Sequence, residues 1–235
     1  MRKVVVIHQP DFMPYLGFFH RLLYADEFVI LDNVQFLRRG WHHRDKIKTD
    51  SGEKWLTVGV KKASQNTLIK DIILNEENWK EQHVNLIKNN YKKSKFFTEI
   101  FPYIEKLYDV KVNTMIDFNM ASIEILLELF DINIKKEYSS KFKMKTVANE
   151  LLVDILKVTN ATHYLSGVGA KDYFISKPFD DAKIEVIWQD LKYPTYPQLH
   201  GEFIPYLSSI DLLFNCGIEK SRELCAWNLI QKALA

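Results

Sequence analysis

Residues 7–21 read IHQPDFMPYLGFFHR, and they hold the first side chains able to do chemistry: His8 and His20, with Gln9, Asp11, Tyr15 and Gly17 between them. A neutral imidazole exchanges a proton near neutral pH or hydrogen-bonds a phosphate. Two of them around one proline-containing loop therefore point to acid–base catalysis or to an anionic ligand. Gly17 allows close backbone approach, and the free N–H groups of a helix starting there can hold a phosphate. The competing structural reading has His8 capping a sheet and His20 packing beneath the loop. Asp32, which closes the next apolar run, is the third candidate for a catalytic role.

A second segment, Asp32 to Thr49, carries Gln35, Arg38, Arg39, Trp41, His42, His43, Arg44, Lys46 and Lys48. Cations packed so closely repel one another unless they are solvated or paired with an anion. Guanidinium forks match phosphate oxygens, and the face of Trp41 suits a base or sugar ring. A phosphorylated ligand would supply the missing negative charge; a solvated basic loop is the bland alternative. A third segment, YLSGVGAKDY at 164–173, offers Gly167 and Gly169 for backbone-close binding beside Ser166, Lys171, Asp172 and Tyr173. Ser166 lacks the GxSxG setting of a serine hydrolase. The Tyr- and Pro-rich stretch 188–217 reads as a rigid wall, and Cys216 as a buried structural thiol.

These residues need elements to position them. Lys3–Ile7 is a short β-branched run, Gly17–Tyr24 has apolar residues at helical spacing, and Glu27–Leu31 is a second apolar run. Strand, loop, helix and strand make a βαβ crossover, whose parallel strands place ligands outside their carboxyl ends, where His8 and Asp32 fall. Further strands are expected at 55–60, 69–74, 163–165 and 184–188. Helices are expected near 78–91, 94–108 and 112–130, broken around Pro102 and residues 109–110, then at 146–159 with Thr146 as cap, 205–215 and 218–234. The fold class is α/β: a Rossmann-like, mainly parallel sheet with a substantial helical insert or lid at 78–131 and C-terminal helices, residues 1–235 forming one unit.

Hydrophobic residues make up 47% of the 235, enough for a sizeable core without metals or disulfides. The 32 Lys and Arg against 30 Asp and Glu leave a net charge of +2, too little to draw in extended nucleic acid. Cys216 and Cys225 stand nine residues apart, and no Cys/His set has zinc-finger spacing, so a reduced compartment and no metal site are expected. The start, MRKVVVIHQP, is too short in apolar residues for a signal-peptide core, and no run approaches a membrane span. A soluble, cytoplasmic chain is the expectation.

Taken together, these segments resemble the WbqC-like protein family from one end of the chain to the other. IHQPDFMPYLGFFHRLLYADEFVILDNVQFLRRGWHHRDKIKT carries most of the likeness, followed by YLSGVGAKDY and YPQLHGEFIPYLSSIDLLFNCG. In the place of a family Trp-Gln-Asn-Arg stand Trp41, His42, His43 and Arg44. The resemblance implies a role in bacterial polysaccharide, lipopolysaccharide or O-antigen biosynthesis. It suggests a transferase that moves an acyl or aminoacyl group to the amine of a nucleotide-linked deoxyamino sugar. On that expectation His8 or His20 accepts the amine proton and the segment Arg38 to Lys48 binds the diphosphate. The donor would be a thioester, an aminoacyl carrier or an acyl adenylate. Two other readings stay open. The strand, loop and helix order is similar to nucleotidyltransferase-like enzymes with an HxGH loop, which would use ATP with magnesium, although no adjacent Gly-His pair exists here. A nucleotide-sugar or RNA binding module would instead use Trp41 and the basic residues as its contact surface.

Overall fold

The computed structural model describes residues 1–226. Val4–His8 forms strand β1, whose apolar residues are buried on both faces, as a central parallel strand requires. After the short helix α1, Leu16–Leu22, the chain returns as β2, Glu27–Ile30, parallel to β1. β5, Lys135–Tyr138, pairs with the far side of β2. On the other side of β1 lie β6, His163–Ser166, and then β7, Glu185–Trp188. The order is β5-β2-β1-β6-β7, every pair parallel, so the Rossmann-like α/β expectation holds. Winding reverses between β1 and β6. At such a reversal the loops leaving two neighbouring strands part toward opposite faces and open a crevice.

Side-chain alternation decides what each face packs against. Val4, Val6, Phe28, Ile30, Leu165 and Ile187 share one apolar core with α1, with α4 (Met115–Phe130) and with α7 (Ser209–Cys225). Val5, Ile7, Val29 and Tyr164 face a second core formed with α5 (Ala148–Val158) and α6 (Lys177–Asp181). All seven residues of α1 are buried, so its polar members, His20 and Arg21, have no solvated face.

The expected insert comprises α2 (Trp79–Tyr91), α3 (Phe97–Tyr108) and α4, and it packs into the first core instead of standing off as a lid. α3 also runs through Pro102 unbroken. Burial of Ile100, Phe101, Ile104, Leu107 and Tyr108 on one face outweighs the hydrogen bond that proline cannot make.

Several local expectations change. Within the basic segment, Arg44–Thr49 (β3) pairs antiparallel with Gly52–Thr57 (β4), so the strand expected at 55–60 begins and ends earlier. The turn at Asp50-Ser51 closes on Gly52, whose φ of +100° suits glycine. Ile69–Leu74 is not a strand: Ile69–Asp71 makes a 3-10 turn, and Ile73 and Leu74 form only single bridges, to Thr114 and Val60. Val147, without a side-chain bond, stands at the start of α5, while Thr146 Oγ1 donates to Asp154 Oδ2 at 2.8 Å. β5 reads KKEY and is an edge strand that no apolar run announced. The helix expected at 218–234 is present to Cys225 as the second half of α7, beyond a kink at Gly217, and residues 227–234 lie outside the described residues. No described helix is long and apolar enough to cross a membrane.

Candidate functional site

His8 ends β1 on the face of Val4 and Val6, so its ring points toward α1 and meets Phe18 edge-on, centroids 5.2 Å apart. The Gln9 carbonyl can only accept, so its 2.9 Å contact puts the proton on Nδ1 and leaves Nε2 as the acceptor of the ring. Asp11 Oδ2 stands 3.6 Å from the same Nδ1. Burial, reinforced by the charges of Arg21 and His42, holds the imidazole of His8 well below its ordinary range and so neutral. Burial also pushes Asp11 up to about 7, against the pull of Arg21. Below neutral pH the two therefore form a dipolar contact and not an ion pair. A carboxyl titrating near 7 beside a neutral imidazole can take or give a proton at physiological pH.

The loop that carries these groups is held from several directions. Asn119 on α4 is wholly buried and donates to the carbonyls of Pro10, at 2.8 Å, and His42, at 2.6 Å. Phe12 N donates to the carbonyl of Trp41 at 3.1 Å, and Gln9 Oε1 meets His42 Nδ1 at 3.0 Å. Ser208 and Ser209 donate their hydroxyls to the carbonyls of Met13 and Pro14, both at 2.7 Å. The loop after β1 and the loop before β3 are thereby one body. Burial lowers His42 to about 4 and lowers His43 as well. His43 Nδ1 accepts from Arg39 N at 3.3 Å. Asp45, 2% exposed, is a second buried acid, raised by burial with the nearby charge of Asp11 adding to it.

The cationic segment divides. Arg38 and Arg39 are exposed, and Arg44 lays its guanidinium 3.9 Å over the ring of Trp55. Trp55 in turn tilts against Trp41, centroids 5.6 Å apart, and both indoles stay partly exposed, Trp41 the more so. That is a platform for a flat ring flanked by positive charge. Lys48 points elsewhere, contrary to its expected phosphate contact. It is 1% exposed, and its ammonium bonds Gln198 Oε1 and the Gly201 carbonyl at 3.2 Å each and the Glu202 carbonyl, fastening residues 198–202 to β3.

Other expected site residues take structural places. His20 is wholly buried, with Nδ1 3.0 Å from Gln189 Nε2 and its ring against Tyr24, so it cannot touch a ligand in this conformation. Asp32 accepts from Ser139 Oγ, Ser140 N and Ser140 Oγ at 2.6–2.9 Å, which ties the end of β2 to the turn after β5 and commits both its oxygens. The space a side chain would need at Gly17 is filled by the ring of Tyr15, not by ligand room. Gln35 donates to the Gln65 carbonyl at 2.7 Å and joins two loops. Ser166 is buried with its hydroxyl on Tyr164, whereas Gly169, Asp172 and Tyr173 stay exposed on a 3-10 turn beyond β6. Gly167 does belong to the crevice: a Cβ there would fall 2.7 Å from Arg21 Nη1.

Sequence reasoning passed over Arg21, Asn119, Asp45 and Gln189. Arg21 had a readable signal, because GFFHRLL leaves a helix no polar side on which to place it. Gln189, whose Oε1 accepts from Arg21 at 2.9 Å, had none.

No solved structure is significantly similar to the chain. The uncharacterized protein Rv1507c of Mycobacterium tuberculosis (strain ATCC 25618 / H37Rv) is 31% identical over 222 residues, covering 93% of this chain and 96% of that protein. A sequence model described as the WbqC-like protein family matches residues 9–223, a span that takes in Gln9, Asp11 and Arg21 near the start and reaches into the second half of α7. With the loop after β1, the Trp41–Trp55 platform and the turn after β6 all inside that span, the chain belongs to the WbqC-like protein family.

Proposed function

We propose that the protein transfers an acyl or aminoacyl group to the amine of a nucleotide-linked amino sugar in bacterial polysaccharide or O-antigen biosynthesis. The observation that carries the reading is the His8–Asp11 pair at the carboxyl end of β1, with Nδ1 protonated toward Gln9 and Asp11 and Nε2 left to accept. As the sugar amine attacks the acyl carbonyl, a C–N bond forms and the amine sheds a proton to Nε2. Asp11 steadies the resulting imidazolium, and the proton passes on to the departing group of the donor as the acyl bond to it breaks. Trp41 and Trp55 stack the base of the nucleotide while Arg38, Arg39 and Arg44 flank it. The choice of sugar substrate is an expectation drawn from the sequence resemblance.

Thermal-shift measurements with a uridine-diphosphate-linked amino sugar, an acyl-CoA, ATP with magnesium and a short RNA test the reading through mass-action stabilisation. A shift with the amino sugar, and an acylated sugar detected by mass spectrometry when acyl-CoA or an aminoacyl donor is added, is the expected result. His8→Ala should cut turnover about 100-fold or more, the usual range for a lost acid–base group, with little change in melting temperature. Stabilisation by RNA alone, or pyrophosphate release from ATP without any acyl transfer, refutes it.

A further inference from the structure

The proton-exchange pair leaves one buried charge unexplained. Arg21 is 3% exposed, and a guanidinium has five N–H donors to satisfy. Among the described residues only one hydrogen bond from it reaches an acceptor, Nη1 to Gln189 Oε1 at 2.9 Å. Its Nε is fully buried with no partner, and no carboxylate forms an ion pair with it among the described residues. The carboxyl close enough to feel its charge, Asp11, faces His8 and keeps its proton to near neutral pH. A full positive charge taken out of water with neither counter-ion nor complete hydrogen bonding is costly, and a fold that retains one has a use for it.

Its surroundings hold it in place. Gln189, the first residue after β7, donates its Nε2 to the Gly17 carbonyl at 2.8 Å and toward His20 Nδ1 at 3.0 Å, so its Oε1 can only face Arg21. Gly167, the first residue after β6, lies so close that any side chain there would strike Nη1. His8, the last residue of β1, lies within reach of the charge. Arg21 thus sits where the carboxyl ends of β1, β6 and β7 converge, at the winding reversal of the sheet, which is where open parallel sheets receive their ligands.

We propose that Arg21 is the anchor of an oxyanion subsite in the β1–β6 crevice, taking a phosphate group of the substrate on the outer Nη donors of its guanidinium that no group among the described residues bonds, the buried Nε lying beyond a ligand's reach. The assignment deepens the transferase reading and rests on it for the choice of phosphate as the anion. It divides the labour among cations: the exposed arginines flank the base, while the buried one fixes the phosphate at a set distance from His8. His20 and Gln189 become positioning residues for that arginine.

Isothermal titration of the full chain with inorganic pyrophosphate tests it, with malonate as a carboxylate probe of similar size. Arg21→Gln should bind pyrophosphate at least about tenfold more weakly, the loss expected for one charge-assisted contact. Arg21→Lys keeps the charge without the fork and should fall between the two. Gly167→Ala leaves Arg21 present and pushes it aside, so it should weaken binding as well even if Arg21→Gln proves poorly folded. Lys157→Gln, which removes a surface charge on α5, should bind as the wild type does. Wild-type affinity in both folded Arg21→Gln and Gly167→Ala, or no wild-type binding at millimolar pyrophosphate, overturns the subsite, and malonate binding in place of pyrophosphate overturns the phosphate assignment. Pyrophosphate binding through Arg21 without any acyl transfer keeps the subsite and removes the transferase reading. Acyl transfer with no role for Arg21 does the reverse.

Discussion

Asp11 should make the folded protein weaker in base than its asparagine variant. Burial raises this carboxyl from an ordinary 3.8 to about 7. Its folded pKa therefore lies above the unfolded one, and the folded chain holds the proton more tightly. The stability tied to that proton is fully present below about pH 4 and drains away as pH rises through 7. A rise of about three units corresponds to roughly 4 kcal/mol when complete. The side chain keeps 11% of its surface in contact with solvent, so about 2–4 kcal/mol is the range to expect. The carboxamide introduced by Asp11→Asn has the same shape and no charge to desolvate. Urea unfolding of wild type and Asp11→Asn at pH 5, 7 and 9, followed by tryptophan fluorescence, reads the effect as a difference in midpoints that widens with pH in favour of the variant. A difference that stays flat from pH 5 to pH 9 would show that Asp11 ionises without penalty, and the account of the His8–Asp11 pair as a neutral-pH proton relay would fall with it.

His83 should govern part of the acid side. Burial lowers its pKa to about 4 while Nδ1 contacts Tyr108 Oη at 2.9 Å, so the stability it contributes is present above pH 6.5 and lost as pH falls toward 4. His83→Gln should flatten the fall in stability over that window by up to about 3 kcal/mol, and an unchanged slope in urea titrations at pH 4–7 refutes it. Gly217 kinks α7 at φ 77° and ψ 173°, where a Cβ would fall 2.6 Å from the ring of Phe96. Gly217→Ala should cost at least about 1–3 kcal/mol in backbone strain, before the ring is moved, and a variant as stable as wild type shows the kink to be soft.

The central sheet was legible because its strands carry their own signal. Val4–Ile7, Glu27–Ile30 and Glu185–Trp188 are short apolar runs between breakers, and their links are long enough to be crossovers. β5 escaped because an edge strand held by β2 needs no apolar run, and KKEY offers none. The hairpin escaped because the alternation in RDKIKT hides a buried Lys48 whose partners lie about 150 residues away, beyond any local pattern. In the site, His8 and Asp11 could be read from a loop at a strand end. The demotion of His20 and Asp32 could not, since it depends on Gln189, Ser139 and Ser140, distant partners that occupy the same polar atoms the chemistry would need. Spacing identifies which groups are available; only packing determines which remain free.

The hydrogen bond between Arg21 and Gln189 joins residues 168 positions apart, and that separation has a consequence for biosynthesis. At roughly 5–20 residues per second a ribosome delivers Gln189 on the order of 10–30 s after Arg21 has emerged. Throughout that interval α1 can seal against β1 only by leaving the guanidinium without its Gln189 partner, a cost of about 1.5–3 kcal/mol that favours late closure of the first strand–helix–strand unit. Final docking of residues 4–30 is therefore expected late on the nascent chain, once β7 and the residue that follows it have been made.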